Sequence, residues 1–442
     1  MRFPNKALLL ALGLAGALSP AVHAADSLID VARAALANDA QFQAARAQRE
    51  ASAEKLPQAR AGLLPSVTLN GTTQWNDVEV RAPVDRTTQY NSHNFGVQLT
   101  QPLFRWGNWV QFEQGRLQVA AADAQLALAR QDVLLRAAQA YFDLLYAQDV
   151  LTSIVAQKTA AAEQLELARR SFEVGTVTIT DVHEAQSRFD LAGAQEIAAR
   201  SDIEVRRHAL AVITGRVPDA LRGLRPDVIV SLPQPARMED WVERAQTESL
   251  SVLAQQANQE IARREIERQR AGHYPSVDLV ATYGQNKTVI TFAGAPLNNE
   301  TTTGTVGVQV SVPLFQGLGQ ESRVRESAHL LDRASADLDF ARRSSAQQAR
   351  QAWLGVANGI AQTAALRAAQ VSSQSSLDAN RLGYEVGVRI NIDVLNAQQQ
   401  LYLTRRDLAK ARYDTLLAQL RLKAAAGQLA EPEIEAVNGL LE

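Results

Sequence analysis

The strongest constraint on this chain is where proline is missing. Of its 14 prolines, none falls in residues 103–217 and none in 314–431. Proline inside a helix costs about 3 kcal/mol, because it removes a backbone hydrogen bond and clashes with the preceding turn. Uninterrupted helices can therefore run in those two stretches. Residues 107–173 alone, at about 1.5 Å per residue, would make a rod of about 100 Å. A helix of that length points to a coiled-coil-like assembly rather than a globular core. Pro57 lies inside an earlier helical lead and is expected to kink or end it.

The two proline-free stretches belong to two copies of one unit. "FEVGTVTITDVHEAQ" at 172–186 answers "YEVGVRINIDVLNAQ" at 384–398, and Gly175 and Gly387, like Asp181 and Asp393, are 212 residues apart. Upstream, "LLPSVTL" (63–69) answers "HYPSVDL" (273–279), and "VQLTQPLF" (97–104) answers "VQVSVPLF" (308–315). The offset barely drifts, so the chain is a duplication with almost no insertions, at a period far too long for a solenoid. The expected organisation is a signal peptide at 1–24, a first repeat at 25–217, a linker at 218–239, a second repeat at 240–430 and a tail at 431–442. In the first repeat we expect strands at 65–80 and 93–104, a long helix at 107–173 and a helix at 178–215. In the second we expect strands at 275–291 and 303–315, a long helix at 318–385 and a helix at 391–427.

The long helices carry more than one apolar stripe. Leu128, Leu135 and Phe142 repeat every seven residues, and Ala137, Leu144 and Leu151 do so on another face. Two seams suit a helix with a neighbour on each side, as in a helical wall. The strand runs alternate with period two: Val67, Leu69 and Trp75 against Thr68, Asn70 and Gln74, and Val306, Val308 and Val310 against Thr305, Gly307 and Gln309. One apolar and one polar face is the pattern of a sheet wet on one side. The segments between paired strands, "APVDRTTQYNSH" (82–93) and "AGAPLNNETT" (293–302), read as polar loops. Four strands cannot close a barrel, and an open edge cannot sit in lipid. Three copies would supply twelve strands, a workable number for an outer-membrane barrel. Trp75, Phe104, Trp106, Trp109 and Phe315 lie near the strand ends, where an interfacial belt belongs.

The opening residues support export. "MRFPNK" is basic, "ALLLALGLAGALSP" is apolar, and "AVHA" offers small residues for cleavage after Ala24. The chain has no cysteine, which excludes disulfides, thiolate metal sites and an N-terminal lipid anchor. With 45 basic and 47 acidic side chains there is no bulk charge to draw the chain to nucleic acid. The six histidines are scattered without metal-ligand spacing, and no phosphate loop or activated nucleophile is present. Neither an enzyme nor a cofactor is expected. The competing reading at this level is a soluble periplasmic coiled-coil scaffold or adaptor whose strands form a small sheet.

The chain resembles the TolC family of outer-membrane efflux and secretion channels over nearly its whole mature length. The resemblance rests on the two "PSV…PLF" hairpins, on "AYFDLLYAQDVL", on "FEVGTVTITDV" and on the long run "SSLDANRLGYEVGVRINIDVLNAQQQLYLTRRDLAKARYDTLLAQLRLKAAAG". It implies a homotrimer, with a twelve-stranded outer-membrane β-barrel continuous with a twelve-helix periplasmic α-barrel. It implies a passive exit duct working with a periplasmic adaptor protein and an inner-membrane ABC or proton-driven pump. It also gives the glycine turns a role as periplasmic tips, with Gly175, Thr176, Val177, Gly387 and Val388 as adaptor-docking positions. Carried over by motif position, Tyr384 and Arg389 are gate partners, Thr180 and Asp181 receive them, and Asp393 rings the constriction. Close relatives place a second acid three residues on, where this chain has Asn396.

Local chemistry offers other readings at the same positions. Thr178-x-x-Asp181 fits a capping box, so Asp181 is equally a cap and a gate partner. Asn391 fits an N-cap before Asp393. Arg389, directly after a tight turn, has little local reason to be there and suits a bidentate bond across a helix interface.

Overall fold

The computed structural model describes residues 25–81, 85–228, 230–292 and 295–442. The expected signal peptide lies outside them. The chain opens with three short helices, α1 (Leu28–Asn38), α2 (Ala40–Ala53) and α3 (Lys55–Ala61). The breaks fall at Asp39 and Glu54, so Pro57 sits in the first turn of α3, where its missing N–H costs least. Two strands follow, β1 (Ser66–Val80) and β2 (Arg86–Phe104), and then α4 (Trp106–Glu173) and α5 (Ile179–Thr214). A linker leads to α6 (Met238–Glu248), α7 (Leu250–Arg270), β3 (Ser276–Phe292), β4 (Ala295–Ser311), α8 (Gly319–Glu385), α9 (Asn391–Ala425) and α10 (Glu431–Asn438).

The sheet is a four-stranded antiparallel meander in the order β1-β2-β3-β4. The central β2–β3 pairing joins the two repeats, with His93 opposite Lys287 and Leu99 opposite Ala281. The strands run further than the alternation alone suggested. Both supposed loops are largely strand: β2 begins at Arg86 and β4 at Ala295, while β4 ends at Ser311 rather than 315. The polar residues there are not turn formers but strand ends with a paired neighbour, since Glu79 faces Thr87 and Lys287 faces Glu300. Strands of 15 to 19 residues exceed the 9–11 or so that cross a bilayer, so their polar ends project past the apolar band.

Register sorts the two faces. The row Leu69–Val97–Tyr283 and the row Ala281–Val306 lie on one side. That side is uncovered: Leu69 is 76%, Trp75 82% and Val306 78% exposed. The other side carries uncharged polar rows such as Thr72–Asn94–Asn286–Thr301. An apolar sheet face this bare demands a nonaqueous partner. At the base of the sheet, Arg105 reaches from the start of α4 to fork onto the buried Asp278 carboxylate of β3, at 2.8 and 2.7 Å.

The main core sits halfway along α4. Val133, Leu134, Ala137, Ala138, Tyr141 and Phe142 are buried there against α1, α9 and α10. Tyr141 donates its hydroxyl to the Arg222 carbonyl of the linker at 2.7 Å. Farther along α4 and α5 many of the buried residues are alanine, as at Ala160, Ala168, Ala185 and Ala192, which lets the helix backbones approach closely.

Candidate gate at the helix-pair tips

Both helix pairs reverse by the same device. At the first tip, Gly175 has φ +79°, its N–H donates to the Phe172 carbonyl at 2.9 Å, and the Thr176 N–H donates to the Ser171 carbonyl at 2.9 Å. At the second, Gly387 has φ +76°, with Gly387 N–H on the Tyr384 carbonyl at 3.1 Å and Val388 N–H on the Gly383 carbonyl at 2.9 Å. These paired bonds satisfy the last carbonyls of a helix and require a left-handed residue, which glycine adopts without a Cβ penalty. Val174, Val386 and Val388 are exposed at 74%, 65% and 76%.

After the turns the copies diverge. In the first, Thr178 caps α5 and closes a reciprocal box with Asp181, whose carboxylate accepts from the Thr178 N–H at 2.9 Å and from its hydroxyl at 2.7 Å. Thr180 is exposed beside it. In the second, the cap position is Ile390, with no side-chain hydrogen bond. Asn391 is therefore not the N-cap that its sequence position suggested. It is the first helical residue, 1% exposed, and turned inward across the repeat. Its Nδ2 donates to the Asp181 carbonyl at 3.3 Å, and its Oδ1 accepts from Nε2 of the buried Gln164 on α4. The side chain satisfies a neighbouring helix pair instead of its own helix end.

Arg389 lies over the end of α8. A Cβ on Gly383 would sit 2.7 Å from Arg389 Cγ, so this buried glycine provides the space for the arginine stem. The guanidinium pairs with Asp393 in the first turn of α9 at 3.6 Å, both groups remaining partly exposed. The Tyr384 ring packs beside Leu377, Val394 and Leu401. Among the described residues, neither Tyr384 nor Arg389 hydrogen-bonds or ion-pairs with Thr180 or Asp181 of the same chain. The structure instead joins the two pairs through Gln164–Asn391 and through Arg188 of α5, which donates to Asn396 Oδ1 at 3.1 Å and to Gln399 Oε1. Higher up, Tyr402 donates to the Ala156 carbonyl at 3.2 Å.

Sequence reasoning missed Gln164, Arg188 and Gln399. The available signal was Gln164 itself, a carboxamide within the alanine and leucine stripe Ala160, Ala161, Leu165 and Ala168. The first pair is also tied by Lys158 to Glu196 at 2.9 Å. Hydrogen bonds from Arg200 and then Lys158 hold the Glu196 carboxyl below its usual range.

No group of three or more metal-ligating side chains exists among the described residues, and no helix there is long and apolar enough to cross a membrane. The sequence pattern of the family described as "Outer membrane efflux protein" matches residues 31–216 and 241–428. Outer membrane protein TolC of Vibrio cholerae is 33% identical over 97% of this chain and 96% of its own length. Alkaline protease secretion protein AprF of Pseudomonas aeruginosa is 33% identical over 93% of this chain and 86% of its own. The solved structure of the outer membrane protein VceC of Vibrio cholerae superposes with a TM-score of 0.77, covering 90% of this chain and 96% of that one at 19% identity. These relatives support neither a soluble scaffold nor an enzyme. The chain belongs to the outer membrane efflux protein family, as one third of a trimeric TolC-like exit duct of efflux, type I secretion or both, with a β-barrel in the outer membrane and a helical extension in the periplasm.

Proposed function

We propose that the two glycine turns are the periplasmic entrance of this duct, and that the second repeat is its moving part. The single observation that carries this reading is the asymmetry between two otherwise matched tips. The first has a self-contained capping box at Thr178 and Asp181. The second leaves its helix start uncapped and sends Asn391 across to the first pair. A tip that satisfies itself suits a fixed wall, and a tip held by its neighbours suits a part that is released. In this reading Tyr384 and Arg389 engage Thr180 and Asp181 across subunits when the entrance is shut. Asp393 and Asn396 face the constriction.

The turn residues Gly175, Thr176, Gly387 and Val388, all exposed, and the half-buried Val177 dock a periplasmic adaptor, and an inner-membrane ABC or proton-driven pump supplies energy. Support for polypeptide cargo comes from the protease-secretion name of AprF, and support for small-compound efflux from the family description.

The test is conductance of the purified trimer in planar bilayers. Arg389→Ser combined with Tyr384→Phe should raise conductance severalfold. A trimer that never conducts, with or without these changes, overturns the reading. For docking, the cysteine-free background allows single cysteines at 177 and 388. These should crosslink a cognate adaptor, whereas a cysteine at the barrel residue Trp75 should not.

A further inference from the structure

Two neighbouring positions of α9, Asp393 and Asn396, are each met by a guanidinium of the same chain. Arg389 lies 3.6 Å from the Asp393 carboxylate, so those charges offset each other. Arg188 is different. Its two Nη atoms go to the carboxamide oxygens of Asn396 and Gln399, which carry no charge, and it makes no ion pair among the described residues. Glu184, one helical turn earlier on α5, is not bonded to it. A guanidinium stays protonated at any working pH, so this charge is permanent. The polar rows of the sheet add little charge of their own, being mostly hydroxyls, carboxamides and glycines, with Asp278 already paired to Arg105.

We propose that Arg188 sets the ionic selectivity of the duct. It places one fixed positive charge per chain beside the constriction and admits anionic cargo, meaning acidic polypeptide segments and small organic anions. The proposal rests on the reading of the tips as the entrance. Three arginines around a narrow aqueous path raise the local concentration of anions and lower that of small cations. The fork onto two carboxamides, rather than onto an acid, is what keeps the charge available.

The experiment is the reversal potential of the purified trimer in a planar bilayer under a tenfold KCl gradient. The wild-type ratio of potassium to chloride permeability should be near or below one. Arg188→Gln should raise it at least about threefold, the order expected for removing charges several ångströms from an aqueous path. Arg188→Lys keeps the charge but not the fork, and should keep the wild-type ratio. Asn396→Asp sets a carboxylate against Arg188 and should shift the ratio toward potassium like Arg188→Gln. It also carries the test if the Arg188→Gln trimer fails to assemble. Conducting variants with the wild-type reversal potential overturn the assignment to Arg188. Failure of every form to conduct overturns instead the reading of the tips as a channel entrance.

Discussion

Replacing Asn391 by alanine removes a side chain that binds both helices of the first repeat at the tip. Two groups lose a partner. The Asp181 carbonyl keeps its own helical bond and loses little. Gln164 is 7% exposed and loses the acceptor of its Nε2, leaving a buried donor unsatisfied. Such a group costs about 1–3 kcal/mol. If the contact exists only while the second pair is docked, that cost falls on the shut state alone. The shut-to-open ratio then falls by about 5- to 150-fold, at about 1.4 kcal/mol per factor of ten. Single-channel recording would show a higher open probability with unchanged fully open conductance. The decisive control is Gln164→Leu with Asn391→Leu. Replacing both partners by apolar groups of similar shape is nearly neutral, so the double variant should close almost as well as wild type. A double variant as open as the two single variants combined would refute the argument, because the two side chains would then not act as a pair.

Other expectations are more local. Gly383→Ala puts a Cβ 2.7 Å from Arg389 Cγ and should displace the arginine. Its conductance should resemble that of Arg389→Ser, read in the same bilayers, while trimer assembly on gels is kept. Gly387→Ala meets nothing within 4 Å but forces φ +76° on an L side chain. It should lower thermal stability of the tip by only about 1–2 kcal/mol, seen as faster hydrogen exchange at 384–390 and little change in the global melting temperature. Glu265 tests the helical body. Burial opposes its ionisation, but hydrogen bonds from Arg268, Gln114 and Gln269 prevail and hold its carboxyl at about 2. A lowered folded-state value means the stabilisation is complete above the ordinary carboxyl range and is lost as pH falls from about 4.5 toward 2. Acid unfolding of Glu265→Gln should therefore be less steep over that interval. Equal steepness would place the acid sensitivity elsewhere.

Much of this molecule is written in patterns that repeat. The proline gaps locate the rods because a single chemical prohibition acts along their whole length. The capping box at Thr178 is readable because all its partners lie within four residues. The barrel strands are readable only where one face meets lipid. Beyond that band the alternation fades, and the polar ends at 86–92 and 295–302 look like loops although they are paired. Asn391 is illegible for another reason. Its letter and position fit a cap, and only the proximity of Gln164, 227 residues away, reveals that the side chain is used elsewhere. The same holds for Arg188, whose partners lie 208 and 211 residues on. Long-range polar pairs leave no periodicity in a single sequence.

The β2–β3 pairing carries a consequence for biogenesis. His93 waits for Lys287 and Leu99 for Ala281, so the first hairpin leaves the translocation machinery with a bare edge and stays so while nearly 200 further residues follow. Closing so long a loop costs only a little more entropy than closing a short one, since the penalty grows with the logarithm of length. The delay is the hazard: an unpaired apolar hairpin is a template for the wrong partner. Newly exported chains should therefore depend on a periplasmic holding factor during that interval. Circularly permuted chains that deliver β2 and β3 in succession should need it less.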